Sequence, residues 1–424
     1  MSIIGKIYYF FSRYTGSEER KVGRFFAGIN ERDAPHKIET SLRKLLQNDI
    51  AVINLWTEHR YKGYDYLTKS SRKQLYENLS LIKQDFESYA ATQTVDAKRI
   101  IEHIGSKGVD TAPLWTMQDR LSYLMIIMSY LSPSKGTYVY RESSSFGRLL
   151  RDPANEKLEG DCNQIVTLYI ALYSLKYDIT DLKLTLFPGH VALHFQGVDV
   201  ETTSGQFAHY KREGQTLAPI HEIVSINLLD TTDINFTKSS INPEVFLQAA
   251  RLAYVVSSNR GLVKRNLESA YQNTVRHLLQ QQQFTQALEY ARQSADHELI
   301  EISAQKGAIY ATKQYDFSGA RRFASHSQRK HELDKLITQD EAAYLFNSKK
   351  YEQAAKLYER LGDADMAKQS YRGAYGEEQQ KLKGAKSVAD IKAHAGTVRT
   401  MQRLARASGD AGLRNHADGL AKYL

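Results

Sequence analysis

The residue types that could carry covalent chemistry converge on one stretch, Gly160 to Gly205, GDCNQIVTLYIALYSLKYDITDLKLTLFPGHVALHFQGVDVETTSG. Cys162, the single cysteine of the chain, stands directly before an apolar run with helical spacing. After Pro188-Gly189, His190 opens an alternating run, and Asp199 and Glu201 lie on the next one. A thiol at a helix start, an imidazole on one strand and a carboxylate on its neighbour are the parts of an activated nucleophile. The imidazole takes the thiol proton, and the carboxylate fixes the tautomer and orientation of the ring.

These groups need elements to position them. Asp161 is a good N-cap type, and Ile165, Leu168, Leu172 and Leu175 continue from Cys162 in steps of three and four. Cys162 therefore belongs to the inward stripe at the first turn. The positive end of a helix favours a thiolate, and its open N–H groups can hold an oxyanion. A single cysteine on an apolar stripe is also an ordinary core residue, so the strands must decide. With Gln196-Gly197 as a two-residue turn, Phe195 pairs with Val198 and Leu193 with Val200. Val191, Leu193, Phe195, Val198 and Val200 then share an apolar face. His190, His194, Asp199, Glu201 and Thr203 share the other, and a slip of one residue would mix the two sets. This register sets Asp199 opposite His194, as a surface cross-strand pair, and Glu201 diagonal to His190. His190 and His194 would be about 13 Å apart on a strand, which argues against a metal site, and no cofactor is expected.

Gly-Asp-Cys before an apolar helix, then Gly-His-Val-x-Leu, then Val-Glu-Thr-Thr, resembles the bacterial transglutaminase-like superfamily, with its papain-like Cys-His-acid core. The likeness spans roughly Ser122 to Gly205 and includes Ser145-Phe146-Gly147. It implies Cys162 as nucleophile, His190 as base and Glu201 where an Asp is more usual. Asn155 is in range by sequence for an oxyanion donor but matches the family pattern poorly. The superfamily holds cross-linking, peptide-cleaving, deamidating and inactive members, so the resemblance names no single reaction.

Around this stretch, the chain of 424 residues is long enough for two or three domains. Hydrophobic residues make up 42% and charged residues 25%, which suits a globular protein. One cysteine excludes an internal disulfide framework and a multi-thiolate metal site. The net charge of +9 is spread thinly, with no long basic block, so a nucleic-acid partner is not expected. Most Lys and Arg residues fall opposite apolar stripes, as solvated faces. Residues 1–24 hold an apolar run broken by Lys6 and Ser12. Docking on the body is expected, with membrane contact as the alternative use. A cytoplasmic location is the default.

Ile38 to Trp56 and Leu75 to Tyr89 have helical period, with Tyr61-Lys62-Gly63-Tyr64 as the turn of an antiparallel pair. A third helix covers Asp119 to Leu131. From Asn242 the helical pattern returns and repeats. Phe284-x-x-Ala287, Phe317-x-x-Ala320 and Tyr351-x-x-Ala354 have alanines 33 and 34 residues apart, with Leu278, Ala311 and Leu345 as a further matched position. This resembles tetratricopeptide repeats, which implies a concave face for a protein partner. Joined to a transglutaminase-like core, the repeats also resemble the bacterial SirB1-like group.

The expected fold is α+β: a helical region over 1–115, a transglutaminase-like core with a small antiparallel sheet over 116–240, and helical repeats over 241–424. The expected activity is cysteine-dependent acyl transfer on a peptide or protein amide, by hydrolysis, deamidation or cross-linking. The alternative is an inactive scaffold that binds partners through its repeats.

Overall fold

The structure, a computed structural model, describes residues 12–143, 145–208, 214–230 and 242–424. Helix and sheet are mixed, in keeping with the α+β expectation. The chain divides into two compact units, 1–270 and 271–424.

In the first unit one hydrophobic core runs from Tyr14 to Val256. It does not break at 115/116 or at 240/241. Leu42, Leu46 and Ile53 of the helix Pro35–Thr57 share it with Ile165, Leu168 and Leu172 of the helix Cys162–Tyr173. Ala249, Leu252 and Ala253 of the helix Pro243–Val256 close it. The two long helices Pro35–Thr57 and Lys69–Ala91 match the two periodic runs. They do not pack chiefly on each other: the first lies on Cys162–Tyr173, the second on Gln118–Tyr130. Their connection begins with a π-helical turn, Glu58–Lys62, and ends on Gly63 at φ 68°.

Five strands form an antiparallel sheet. In chain order they follow a small parallel pair, β1 (Tyr138–Tyr140) and β2 (Leu158–Gly160). The sheet contains β3 (Leu182–Phe187), β4 (His190–Phe195), β5 (Val198–Glu201), β6 (Gln206–Ala208) and β7 (Thr216–Pro219), in the order β6-β5-β4-β3-β7. The expected register holds. Leu193 pairs with Val200, His194 with Asp199 and Phe195 with Val198. Gln196 and Gly197 have φ of 48° and 90°, the two left-handed residues that suit a tight hairpin to the strand twist. Val191, Leu193, Phe195, Val198 and Val200 are buried on one face. Helix Cys162–Tyr173 packs on β4. It is buried on all sides from Gln164 to Tyr173 and ends there, so Leu175 lies past the helix and is partly exposed.

In the second unit the matched positions are structural. Phe284, Phe317 and Tyr351 each open a helix, and Ala287, Ala320 and Ala354 are fully buried. Two residues before each aromatic stands a left-handed residue: Gln282, Tyr315 and Lys349. The next N–H in each case, on Gln283, Asp316 and Lys350, bonds back to the carbonyl of Leu278, Ala311 or Leu345 at 2.8–2.9 Å. That is the helix-ending motif in which a left-handed residue lets the chain reverse and satisfies an orphan carbonyl. Helices Ala395–Ser408 and Ala411–Ala421 add a further packed pair, with Met401, Leu404 and Ala417 inside. No helix among the described residues is long and apolar enough to cross a membrane. The expectation for residues 1–24 falls partly outside the described residues. Within them, Ser17–Gly28 is a helix whose Val22 and Phe26 enter the core.

Candidate active site

Cys162 is the first residue of its helix, and a reciprocal cap fixes that start. The Asp161 carboxylate accepts from the Asn163 N–H at 2.9 Å and the Gln164 N–H at 3.5 Å, while the Asp161 N–H donates to Gln164 Oε1 at 3.0 Å. The Asn163 and Gln164 amides also donate to Asp230, at 2.9 and 3.3 Å. These bonds fix the backbone at the start of the helix that carries the thiol. Cys162 is 7% exposed.

His190 opens β4 beside this helix, released by the Pro188-Gly189 turn, in which Gly189 takes φ 74°. Its Nε2 lies 2.8 Å from Glu201 Oε2. Nδ1 is its other ring nitrogen, and the Cys162 thiol lies 4.0 Å from Asn163 Oδ1. His190 is pushed up to about 10 by its hydrogen bond with Cys162 and then by that with Glu201, against the opposing effect of burial. Cys162 and Glu201 thus both favour the charged form of the ring. Its face is also held, since Phe187, its partner across the β3–β4 hairpin, stacks on it at 6.1 Å and 23°. Glu201 is fixed in turn, with Oε1 accepting from Thr203 Oγ1 at 2.6 Å and from the Thr203 N–H at 3.2 Å. Of the three residues read from the sequence, His190 and Glu201 are in direct contact, and Cys162 is near enough to His190 to raise it.

One other expectation is corrected. His194 and Asp199 form no surface pair. Asp199 is 3% exposed, bonds His194 Nδ1 at 2.9 Å and accepts from Thr185 Oγ1 at 2.7 Å. The Gly197 N–H donates to His194 Nε2 at 3.1 Å, so Nε2 is the acceptor and the ring proton is on Nδ1, facing Asp199. The middle of this sheet face is buried as well, at Thr185, Ala192 and Asp199, which the alternation of residues could not reveal. Asn155, already a poor match by sequence for an oxyanion donor, donates from its amide to Asp152 Oδ2 at 2.7 Å in a surface turn.

Tyr140 was not singled out by sequence, yet it belongs to this surroundings. β1 runs parallel to β2 with Tyr140 aligned with Gly160, two residues before the thiol. Its phenol is raised by burial and then by the negative charge of Cys162 and Asp161, although half of the residue remains exposed. The alternation Tyr138-Val139-Tyr140 was the available signal. Among the described residues no His, Cys, Asp and Glu group has the arrangement of a metal site.

No protein-family model matches the chain, and no curated protein is similar to it in sequence.

Proposed function

We propose that the protein is a cysteine-dependent acyl-transfer enzyme acting on a peptide or protein amide. The observation that carries this reading is the His190 ring, held 2.8 Å from the Glu201 carboxylate and raised first by Cys162 and then by Glu201. The Cys162 thiolate attacks the amide carbonyl and forms a C–S bond. The proton on His190 Nδ1 passes to the leaving nitrogen as the C–N bond breaks, which leaves a thioester on Cys162 and a neutral imidazole. Water or an amine then gives its proton to His190 and attacks the thioester, which releases an acid or a new amide and restores the thiolate. The Cys162 N–H is the backbone oxyanion donor in this reading, since the Asn163 and Gln164 N–H groups bind Asp161.

Under this reading the first unit is a transglutaminase-like, papain-like core, and the second a tetratricopeptide-like array that brings a protein partner. A cytoplasmic location and a bacterial SirB1-like affiliation belong to the same reading. The likeness rests on the order of cysteine helix, histidine strand and acid strand, and on the 33- and 34-residue period of the helix pairs.

The direct test is a peptide library incubated with the wild-type chain and with Cys162→Ala, read by mass spectrometry for cleavage, deamidation and cross-links. Products made by the wild type and lost in Cys162→Ala and His190→Ala support the enzyme. A Cys162 that neither forms products nor reacts with iodoacetamide faster than a free thiol would leave the inactive scaffold as the better reading.

A further inference from the structure

A cavity of about 490 Å³ opens in the first unit, away from the thiol. Ala171 and Ser174 line it at the far end of the cysteine helix. At 1.5 Å per residue they stand roughly 14 and 18 Å along the axis from Cys162. The volume suits a small molecule. One wall is the helix Pro35–Thr57 where it breaks, at Asp49, whose φ of -136° and ψ of 28° are not helical. Just before the break, the Gln47 amide donates to the Ser174 and Tyr177 carbonyls at 3.3 and 3.0 Å, and Gln47 Oε1 accepts from the Ile179 N–H at 2.9 Å. The kinked wall is thus tied to the end of the cysteine helix, and the fold fixes its position.

The charges around the cavity are incompletely paired. Glu19 is taken by Arg72, and Lys73 pairs with Glu77 on the helix Lys69–Ala91. Asp49, its side chain 10% exposed, has Lys21 as ion-pair partner at 3.5 Å, from a largely solvated side chain. Lys83 is half-buried and lines the same cavity, yet among the described residues its ammonium has no hydrogen bond and no ion pair. Burial pushes Asp49 up, opposed by Lys21, and pulls Lys83 down, opposed by Asp49 and Glu87. Each charge has lost water without gaining a full partner. Ile50, Val52 and Leu79 add apolar lining.

We infer that this cavity binds a free aliphatic α-amino acid: its ammonium meets Asp49, its carboxylate meets Lys83, and its side chain lies on Ile50, Val52 and Leu79. An ammonium and a carboxylate on one carbon bridge an acid and a base that stand too far apart to pair. A phosphate-like dianion would be repelled by Asp49 and by Glu18 at the rim, and a simple cation by Lys83 and Lys21. The site does not rest on the reading of Cys162 as a nucleophile.

Isothermal titration of the full chain with L-leucine tests it, and saturable binding is expected. N-acetyl-leucine lacks the ammonium and leucinamide lacks the carboxylate. Each should bind about ten- to a hundredfold more weakly, the worth of a hydrogen bond to a charged group. Asp49→Asn and Lys83→Met should reproduce that loss for leucine, and in Lys83→Met leucine and leucinamide should converge. The three ligands on the wild type give the answer even where a variant does not fold. Cys162→Ala should bind leucine as the wild type does. No saturable binding of leucine at millimolar concentration, equal affinity for the three ligands, or loss of binding in Cys162→Ala would each overturn the inference. Leucine binding by a chain that makes no acyl-transfer product would leave this site standing and remove the enzymatic reading alone.

Discussion

His190 Nε2 and Glu201 Oε2 lie 2.8 Å apart, and the other Glu201 oxygen is taken by Thr203. The carboxylate is therefore oriented before it orients the ring. His190 is raised from its ordinary value near 6.5 to about 10 by Cys162 first and Glu201 second. A raised histidine contributes stability that is fully present below its ordinary value and lost as pH climbs to about 10. Glu201→Gln keeps the shape and removes the charge. It should bring the His190 titration, followed by NMR, down towards 6.5. The rate of Cys162 alkylation at neutral pH should fall on the order of tenfold. An unchanged titration would show that Glu201 does not hold the proton.

Phe187 constrains the same ring from its face. Stacking of this kind is worth about 0.5–1.5 kcal/mol beyond area burial. Phe187→Leu retains much of the apolar area and loses the stacking. A severalfold slower alkylation with a nearly unchanged melting temperature is expected. A large loss of stability with normal thiol reactivity would assign Phe187 to packing alone.

The His194–Asp199 pair predicts the reverse pattern. Asp199→Ala would leave the buried Thr185 hydroxyl and the His194 N–H without their acceptor. Loss of a buried hydrogen-bonded charge of this kind costs about 2–4 kcal/mol. Denaturant unfolding should show that loss, while the pH dependence of Cys162 alkylation stays as in the wild type. A shifted alkylation profile would instead make His194 part of the site.

Much of the site was legible because strand alternation is strict. Once Gln196-Gly197 is a turn, Leu193, Phe195, Val198 and Val200 permit one register, and Glu201 follows from it. What covers a sheet is set by distant parts of the chain, so the burial of Asp199 could not be read locally. Tyr140 was hidden for the same reason, since it reaches the start of the cysteine helix through the pairing of β1 with β2. The expected three-way division differed from the two units because helices before and after the sheet share its core.

Arg72 is a sharper case of that limit. It falls among basic residues that read as a solvated face, yet it is 1% exposed and paired with the equally buried Glu19 at 2.7 Å. Its remaining N–H groups donate to the carbonyls of Leu67 and Arg13 at 2.8 and 3.0 Å. Removing one partner strands the other, at about 3–5 kcal/mol. Arg72→Ala should therefore unfold the first unit far more readily than a surface Arg→Ala such as Arg99→Ala. Equal melting temperatures for the two variants would contradict this.

Gly307 sets two opposing effects against each other. It lies inside the helix His297–Lys313, where Ala usually stabilises by about 0.5–1 kcal/mol. A Cβ at this position would meet the Phe323 ring at 2.5 Å, and overpacking of that kind costs about 1–3 kcal/mol. Phe323 packs against the cluster of Ala308, Ala320 and Ala324, so its ring cannot retreat without opening that contact. The steric effect wins. Gly307→Ala should lower the stability of the second unit by about 1–2 kcal/mol in denaturant unfolding, and Phe323→Leu should recover part of it by clearing the space. A Gly307→Ala protein more stable than the wild type would show that the ring moves freely and that close helix approach does not hold this repeat together.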